Sequence, residues 1–196
     1  MYPNEHTRVG FILAGGKSVR MGTDKAFLDF AGETLLTRAL RIMSEACEEV
    51  KIVGDPAKFT APNYETIADV FPDSGPLGGI HAALTWSSSE LNLMLAVDMP
   101  FISADLLAFL LRAAGTDTAA VTVPSVDGRL QPLCAVYRRE FAAYAEDALR
   151  AGKFKIDAAF AGVKTRVIEE DELAAAGFSA RNFVNMNTPQ DLRDQR

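Results

Sequence analysis

Two adjacent glycines and three nearby cations form the segment of the sequence best suited to chemistry. Gly15 and Gly16 directly follow an apolar run, and Lys17, Arg20 and Lys25 follow them within one short loop. Residues without a Cβ let backbone amides approach an anion closely, and these amides bind phosphates together with lysine and arginine. The segment therefore predicts a loop that binds a triphosphate. A tight turn with solvated charges is the structural alternative, and the full spacing of the cations favours the phosphate site.

An aspartate ends the most apolar strand candidate of the chain. Asp98 follows the run Leu91 to Val97, so it is expected at the same carboxyl edge of a sheet as Gly15. A carboxylate about 5 Å from a phosphate oxygen is repelled by roughly 3 kcal/mol at an effective dielectric of about 20. Mg²⁺ removes that repulsion, because it commonly binds one or two carboxylates together with substrate phosphates. We therefore predict Asp98 as a catalytic metal ligand and Mg²⁺ as the cofactor. The alternative role, a helix N-cap, suits Ser103 better.

Two well-known phosphate loops do not fit the glycine segment. Gly16-Lys17-Ser18 looks like the end of a Walker A motif, but the glycine that this motif requires five residues earlier is Phe11 here. The dinucleotide fingerprint Gly-x-Gly-x-x-Gly does not occur at this position either. The sequence therefore argues against a P-loop GTPase and a nicotinamide-dependent dehydrogenase.

Apolar runs alternate with helical patterns along most of the chain, which is typical of a doubly wound α/β fold. Strands are predicted at Val9 to Ala14, Val50 to Val53, Tyr64 to Ala68, Leu91 to Val97, Ala119 to Pro124 and Pro132 to Tyr137. Helices are predicted at Thr34 to Ala46, Gly79 to Trp86, Ala104 to Ala114, Glu140 to Ala151 and from Pro189. Asp127-Gly128 is a strong hairpin signal, so an antiparallel addition is expected there. We predict a three-layer α/β/α fold with a mainly parallel, Rossmann-like mixed sheet.

Bulk composition sets limits on the partners and the compartment. The chain has 196 residues and a net charge of −6, so it has no general attraction for nucleic acid or for an anionic membrane. We predict a single domain over residues 1–196. Cys47 and Cys134 lie far apart without metal-ligand spacing, which suggests buried free thiols in a reducing compartment. The polar start and the lack of a long apolar run make the cytoplasm the expected location.

The glycine segment closely resembles the signature of one enzyme family. The stretch from Leu13 to Lys25 is similar to that of the nucleotide-sugar-transferase-like nucleotidyltransferases and, more narrowly, of the molybdenum cofactor guanylyltransferases. The resemblance implies a fold of the nucleotide-diphospho-sugar transferase type. It also implies that Arg20 and Lys25 stabilise charge during transfer, while the loop wraps the nucleotide. The nucleotide-binding residues are then Leu13, Ala14, Gly15, Gly16, Lys17 and Lys25.

A second motif resembles the part of the family that contacts the nucleotide. Asp69 precedes Gly75-Pro76-Leu77-Gly78-Gly79, similar to an aspartate followed by Gly-Pro-Leu-x-Gly. The resemblance gives Asp69 a nucleotide contact and gives Gly78 and Gly79 close backbone approach. An ordinary loop before a helix is the structural alternative. The choice of base depends on Ala14-Gly15-Gly16, where cytidylyl relatives tend to have Ala-Ala-Gly. Some guanylyl members carry an asparagine after the second strand, whereas this chain has Gly54-Asp55.

The last third of the chain is expected to bind the acceptor. The segment from Asn185 to Pro189 is similar to the family motif Asn-x-Asn-Thr-Pro, which implies that Asn185 and Asn187 lie near a pterin acceptor. Gln131 is a further acceptor candidate beside the hairpin. Arg150, Lys153 and Lys155 either meet the acceptor's phosphate or form a solvated helix end. Residues 1–100 are thus expected to bind mainly the nucleotide, and residues 101–196 mainly the acceptor.

The resemblance implies one reaction, and the residues leave others open. GMP is transferred from GTP to the phosphate of the molybdenum-molybdopterin cofactor, and pyrophosphate is released. The implied partners are GTP and the molybdopterin cofactor, with no nucleic acid and no membrane, and the chain is expected to be a monomer or a weak oligomer. The alternatives are transfer from CTP or to a sugar phosphate, a nucleotide-binding regulator without turnover, and a structural or partner-binding module.

Overall fold

A mixed β-sheet with helices on both faces forms the centre of the molecule. The structure is a computed structural model, and it describes residues 8–15 and 24–186, apart from the side chains of residues 157 and 158. The strands are β1 Val9–Leu13, β2 Asp29–Phe30, β3 Glu33–Thr34, β4 Glu49–Val53, β5 Thr66–Ile67, β6 Leu91–Ala96, β7 Val121–Val126, β8 Arg129–Leu130, β9 Cys134–Arg138 and β10 Thr165–Ile168. The helices are α1 Leu35–Ala46, α2 Gly75–Trp86, α3 Ala104–Gly115, α4 Phe141–Arg150, α5 Ile156–Phe160 and α6 Glu170–Ala175.

The strand order creates a switch point beside β1. Eight strands form the main sheet in the order β10-β7-β9-β6-β1-β4-β5, with β8 paired to β7. β1 pairs in parallel with β4 on one side and with β6 on the other. β4 therefore lies on one side of β1 and β6 on the other, so the order of the strands reverses direction at β1. In open α/β sheets the crevice at such a switch point binds ligands. β9 runs antiparallel to both β6 and β7.

Two apolar cores cover the two faces of this sheet. One core contains the buried sides of α1 and α3 together with Leu173 of α6, and the other contains those of α2, α4 and α5. β6 is buried almost throughout, as expected for a strand with helices on both faces. The predicted three-layer fold and its mainly parallel mixed sheet are confirmed.

Several local sequence signals have the predicted effect. Ser103 is the N-cap of α3, and its side chain accepts a hydrogen bond from the amide of Leu106. Asp127 and Gly128 both have positive φ, 50° and 68°, which a two-residue type I′ hairpin turn requires. The hairpin that they close pairs β7 with the short strand β8, and β9 follows as a separate strand. In the described part of the chain, none of the helices has the length and apolar character to span a membrane.

The start of α2 differs from the prediction. The helix begins at Gly75, four residues before the predicted start at Gly79, and Pro76 lies in its first turn. Proline is favoured there because the first amides of a helix lack intrahelical partners. Glycine and proline are typical of turns, so the Gly-Pro run predicts a loop and does not reveal the helix start. His81 therefore lies in the middle of α2 rather than in its first turn, and it is only 4% exposed.

Candidate active site

A cleft of about 550 Å³ lies at the carboxyl ends of β1 and β6, at the switch point of the sheet. It brings together the residues directly after β1, the Lys25 turn, the Asp69 loop, the start of α2 and the end of β6. Its lining residues are Leu13, Ala14, Gly15, Asp24, Lys25, Val53, Asp69, Asp73, Gly75, Pro76, Gly79, Ala96, Val97, Asp98 and Leu133. Most of the nucleotide-binding residues that the sequence predicts within the described ranges therefore share one crevice. Gly16, Lys17, Arg20 and Asn187 lie outside the described residues.

The end of β1 forms one wall of the cleft through its backbone. The amides of Ala14 and Gly15 both donate to the carbonyl of Val53, at 3.0 and 3.2 Å, so the chain leaves β1 close against β4. A Cβ on Gly15 would lie 3.8 Å from the Oδ2 atom of Asp69. A contact of that length is ordinary, so the carboxylate of Asp69 lies directly beside the Gly15 backbone in the cleft.

Lys25 and Asp98 face each other across the cleft. The Nζ atom of Lys25 lies 3.5 Å from Oδ2 of Asp98, with side chains 26% and 23% exposed. Burial raises the pKa of the Asp98 carboxyl, and the nearby Lys25 ammonium partly opposes that rise. A single turn of 3-10 helix, Lys25–Phe27, carries Lys25, and the side chain of Asp24 caps it. The cleft thus contains a cation and a carboxylate in position to act on one polyphosphate.

Asp69 is a second partly buried carboxylate of the cleft. Its Oδ1 atom is buried and has no hydrogen-bond partner within the described residues. Burial raises the pKa of this carboxyl, and no other cause contributes. A buried polar atom without a partner is costly, so a ligand that donates a hydrogen bond to it is stabilised there.

The two adjacent glycines of α2, Gly78 and Gly79, have different surroundings. Gly79 lines the cleft, and a Cβ there would lie 3.5 Å from Leu13 and from Val53 and 3.7 Å from the Oδ1 atom of Asp69. Gly78 does not line the cleft, and a Cβ there would lie 3.1 Å from the carbonyl oxygen of Phe71. Gly78 therefore allows the helix to pack against its own preceding loop, whereas Gly79 faces the site.

The acceptor candidates divide between two places. The amide of Met186 donates to the carbonyl of Asp98 at 2.8 Å, so the neighbouring Asn185 lies beside the end of β6. Gln131 lines a separate groove of about 400 Å³ with Arg129 and Phe183. The chain passes directly from one region to the other, because Leu133, two residues after Gln131, lines the main cleft.

The basic residues at the end of α4 and just after it lie away from the main cleft. Arg150 donates from Nε and NH2 to Oε1 of Glu146, at 2.8 and 2.6 Å. Arg150, Lys153 and Lys155 are all exposed, and none of them lines the main cleft. Of the two interpretations left open, the geometry favours the solvated helix end.

Gly54 and Asp55, which follow β4 where some guanylyl members carry an asparagine, have local structural roles. The Oδ1 atom of Asp55 accepts from the amide of Ala57 at 2.9 Å, so this side chain closes its own turn. A Cβ on Gly54 would lie 2.8 Å from the ring of Phe59. Neither residue lines the cleft.

Sequence patterns missed several lining residues. Val53 and Leu133 reach the cleft because the end of β4 and the start of β9 lie beside β1 and β6, and Asp73 reaches it from the loop before α2. Val53 and Leu133 are apolar, so only their positions beside strand ends point to the site. Within the described residues, no group of three or more His, Cys, Asp or Glu could hold a metal ion alone.

Comparison with known proteins identifies the family. A probable molybdenum cofactor guanylyltransferase of Pelotomaculum thermopropionicum is 36% identical over 185 residues, which are 93% of this chain and 89% of the relative. The structure of molybdopterin-guanine dinucleotide biosynthesis protein A from Archaeoglobus fulgidus matches with a TM-score of 0.81 and 26% identity, covering 95% of both chains. A 2-C-methyl-D-erythritol 4-phosphate cytidylyltransferase from Thermus thermophilus shares the fold, with a TM-score of 0.70, 19% identity and 93% and 94% of the two chains covered. The family pattern of the MobA-like NTP transferase domain matches residues 10–164. The predicted family is therefore confirmed, and the chain belongs to the MobA-like NTP transferase domain family.

Proposed function

We propose that this protein transfers GMP from GTP to the phosphate of the molybdenum-molybdopterin cofactor and releases pyrophosphate. The observation that carries the proposal is the pairing of Lys25 with Asp98 at 3.5 Å, at the switch point of the sheet and in the same cleft as Gly15. Relatives that share almost the whole chain bear the name molybdenum cofactor guanylyltransferase, which favours GTP over CTP. The cytidylyltransferase neighbour, at 19% identity, supports the fold alone.

The reaction is a displacement at the α-phosphorus of the nucleotide. An oxygen of the acceptor phosphate forms a bond to this phosphorus, and the bond to the bridging oxygen of pyrophosphate breaks with the electron pair leaving on pyrophosphate. Negative charge builds on the phosphate oxygens, so a fixed ammonium such as that of Lys25 lowers the barrier. The backbone at Gly15 and at the start of α2 lines the cleft beside the position expected for the nucleotide.

No covalent intermediate on a cysteine is part of this proposal. Burial raises the pKa of the thiols of Cys47 and Cys134 to about 12, and both lie in the apolar core that contains α1 and α3. A thiol reacts as its thiolate, so neither residue is suited to nucleophilic attack. Direct attack by the acceptor phosphate requires no protein nucleophile.

Mg²⁺ fits the residues of the cleft. Asp98 is partly buried, its pKa is raised by burial, and a cation beside it offsets that cost. A site with one carboxylate is sufficient when the nucleotide phosphates supply the other ligands. Asp98 would hold the ion, and the bound ion would neutralise charge on the transferring phosphate. The ammonium of Lys25, 3.5 Å from Oδ2 of Asp98, helps to keep this carboxylate in position.

The acceptor is proposed to lie beside Asn185 and Gln131. The hydrogen bond from Met186 to Asp98 fixes Asn185 next to the end of β6, where the transferred phosphate is expected. Gln131 lies further away, in the groove with Arg129 and Phe183. These two places suit an elongated acceptor whose phosphate reaches the main cleft. The cytoplasmic location and the monomeric or weakly oligomeric state remain predictions.

The test is pyrophosphate release from GTP and from CTP, each with and without molybdenum-molybdopterin and with Mg²⁺ or EDTA. We expect release from GTP only when acceptor and Mg²⁺ are both present. Release from CTP but not from GTP would establish the cytidylyl alternative. GTP binding without pyrophosphate release under all conditions would establish the regulator without turnover, and release in EDTA would refute the Mg²⁺ proposal.

A further inference from the structure

We propose that Lys58 is a positioning residue for the transfer reaction. Its ammonium pairs with the carboxylate of Asp24 and thereby fixes the 3-10 turn that holds Lys25 in the cleft. The inference rests on the proposed function, because it assigns a role in the same site. It assigns the segment after β4 a role in supporting the turn that carries Lys25, rather than in contacting the base.

The carboxylate of Asp24 is almost completely enclosed. Its side chain is 8% exposed, whereas that of Lys58 is 44% exposed. Oδ1 of Asp24 accepts from the amide of Ala26 at 3.0 Å, and Oδ2 pairs with the Nζ atom of Lys58. Both carboxylate oxygens therefore have partners, which a charge buried to this degree requires.

The rest of the turn is anchored by packing. Ala26 is fully buried, and the ring of Phe27 stacks on Phe59 with centroids 5.8 Å apart and an interplanar angle of 24°. The amide of Leu35 donates to the carbonyl of Leu28 at 3.0 Å, so the end of the turn is bonded to the start of α1. The Asp24 end is held by the side chain of Lys58, and its position depends on that ion pair.

The local sequence after β4 places Lys58 for this role. The amides of Lys58 and Phe59 both donate to the carbonyl of Asp55, at 3.0 and 2.9 Å, which forms a compact turn. Gly54 leaves room for the ring of Phe59, because a Cβ there would lie 2.8 Å from that ring. Phe59 is 2% exposed and contacts the Lys25 turn through Phe27. The segment thus supports the turn by an ion pair and by a ring stack.

Lys58 acts on the reaction through Asp24. Asp24 and Lys25 line the cleft, whereas Lys58 does not. Without Lys58, the Asp24 carboxylate loses its charged partner and lies beside the phosphate site, where it draws the Lys25 ammonium away from Asp98 and repels phosphate oxygens. A misplacement of about 1 Å at a catalytic group can lower the rate by about 100-fold.

The experiment compares Lys58→Met, Lys58→Arg, Asp24→Asn and the double variant Asp24→Asn/Lys58→Met. Steady-state pyrophosphate release gives kcat and the KM for GTP, and thermal unfolding checks that each variant folds. Lys164→Met is the matched control, because Lys164 also pairs with an aspartate but lies just before β10, away from the cleft. We expect Lys58→Met to lower kcat by about 10- to 100-fold with a change of less than about 3-fold in KM, and Lys58→Arg to restore most of the rate.

The double variant separates a positioning role from contact with the nucleotide. If Lys58 acts only by neutralising Asp24, removing that charge makes the lysine dispensable, and the double variant turns over as fast as Asp24→Asn alone. If the losses of the two single variants multiply, or if Lys58→Met raises the KM with kcat unchanged, Lys58 acts on the nucleotide and the proposal is overturned.

Hydrogen exchange in the ligand-free protein tests the ion pair independently of activity. Lys58→Met should accelerate exchange of the amide of Ala26, whereas the Lys164→Met control should leave it unchanged. If the wild-type protein turns over no nucleotide, the proposed function is refuted, but the Asp24–Lys58 ion pair is not. Unchanged exchange in Lys58→Met, in an otherwise active enzyme, would refute the positioning role alone.

Discussion

Asp98 and Asp69 carry their charges in a cleft that is only partly open to water. Burial raises the pKa of both carboxyls, and among the described residues a neighbouring ammonium opposes the rise only at Asp98. Perturbed carboxyls of this kind cluster at functional sites, because the folding cost that they impose is offset when a ligand or ion binds. The two residues are therefore expected to respond differently to neutral substitution.

Replacing Asp98 with Ala is expected to abolish most of the Mg²⁺-dependent turnover. Loss of about 3 kcal/mol of charge stabilisation corresponds to a fall of about 100-fold in kcat/KM. Circular dichroism should show an intact fold, because the side chain lies at the edge of the sheet. Asp147→Asn, on the exposed face of α4, is the control. An Asp98→Ala variant with near wild-type turnover would remove this residue from the reaction.

Asp69→Asn is expected to stabilise the ligand-free protein while it weakens GTP binding. Because the folded-state pKa lies above the ordinary value of 3.8, this carboxyl favours folding most below that pH and loses the contribution as pH rises through the folded pKa. At pH 7 the charged group thus disfavours folding, and the neutral amide relieves that penalty. The midpoint of thermal unfolding should rise and the KM for GTP should rise. A lower midpoint would show that the charge has a partner in the folded state.

At the scale of elements, the start of α2 connects packing to the site. Gly78 faces its own preceding loop and Gly79 faces the cleft, although the two are adjacent in sequence. The contact between α2 and α4 also buries His81, whose Nε2 atom lies 3.9 Å from Oε2 of Glu146. Each of these features can be tested by one substitution.

Gly79→Ala should stabilise the fold and weaken GTP binding. A Cβ there makes ordinary contacts at 3.5 Å with Leu13 and Val53, and alanine is favoured over glycine inside a helix by about 1 kcal/mol. The added methyl occupies the cleft beside Asp69, so we expect a higher Kd for GTP in calorimetry. Gly78→Ala is the matched control. Its Cβ would lie 3.1 Å from a backbone carbonyl, so it should bring no gain in stability and no direct change in the Kd.

His81 is expected to make the stability depend on pH below about 6.5. Burial lowers the pKa of the imidazole, Glu146 opposes this and Arg150 adds to it. The unfolded chain therefore takes up a proton more readily than the folded one, and stability is lost as pH falls below the ordinary value of 6.5. One such proton changes the unfolding free energy by at most about 1.4 kcal/mol per pH unit. The free energy of unfolding, measured in urea from pH 7.5 to 5, should depend less steeply on pH in His81→Leu. An unchanged pH dependence would assign the effect to other groups.

In the molecule as a whole, one sheet joins the first and second halves of the described chain. β6 and β9 connect the strands of the first half to those of the second, and the hydrogen bond from Met186 to Asp98 returns the last described residues to the cleft. The site therefore depends on the complete sheet rather than on the glycine loop alone. Global unfolding should expose the deepest side chains of both halves together.

The thiols report on that global unfolding. Cys47 and Cys134 are buried without a disulfide, and burial raises the pKa of both to about 12. The folded protein should therefore react with a thiol reagent at pH 8 only as fast as it unfolds, and both thiols should react at once in denaturant. Rapid modification of the native protein would show local opening of the core.

Residue types and apolar runs are sufficient to predict a phosphate-binding site and the alternation of strands and helices. Asp98 could be singled out because it ends a recognisable apolar strand, and Lys25 because it belongs to a cluster of cations after two glycines. The role of Asp69 was implied by the family resemblance, since its own loop is equally typical of an ordinary connection. Alternating apolar runs were sufficient for the three layers, since strands buried on both faces have continuous apolar sequences.

The way in which these residues face one another could not be predicted from local patterns. The early start of α2, the separation of Gly78 from Gly79, the lining by Leu133 and the pairing of Asp24 with Lys58 depend on distances between segments far apart in sequence. Local patterns encode propensity and burial, which act within a few residues. The contacts that complete the cleft arise from packing strands and helices at the switch point, and this packing is a property of the folded chain as a whole.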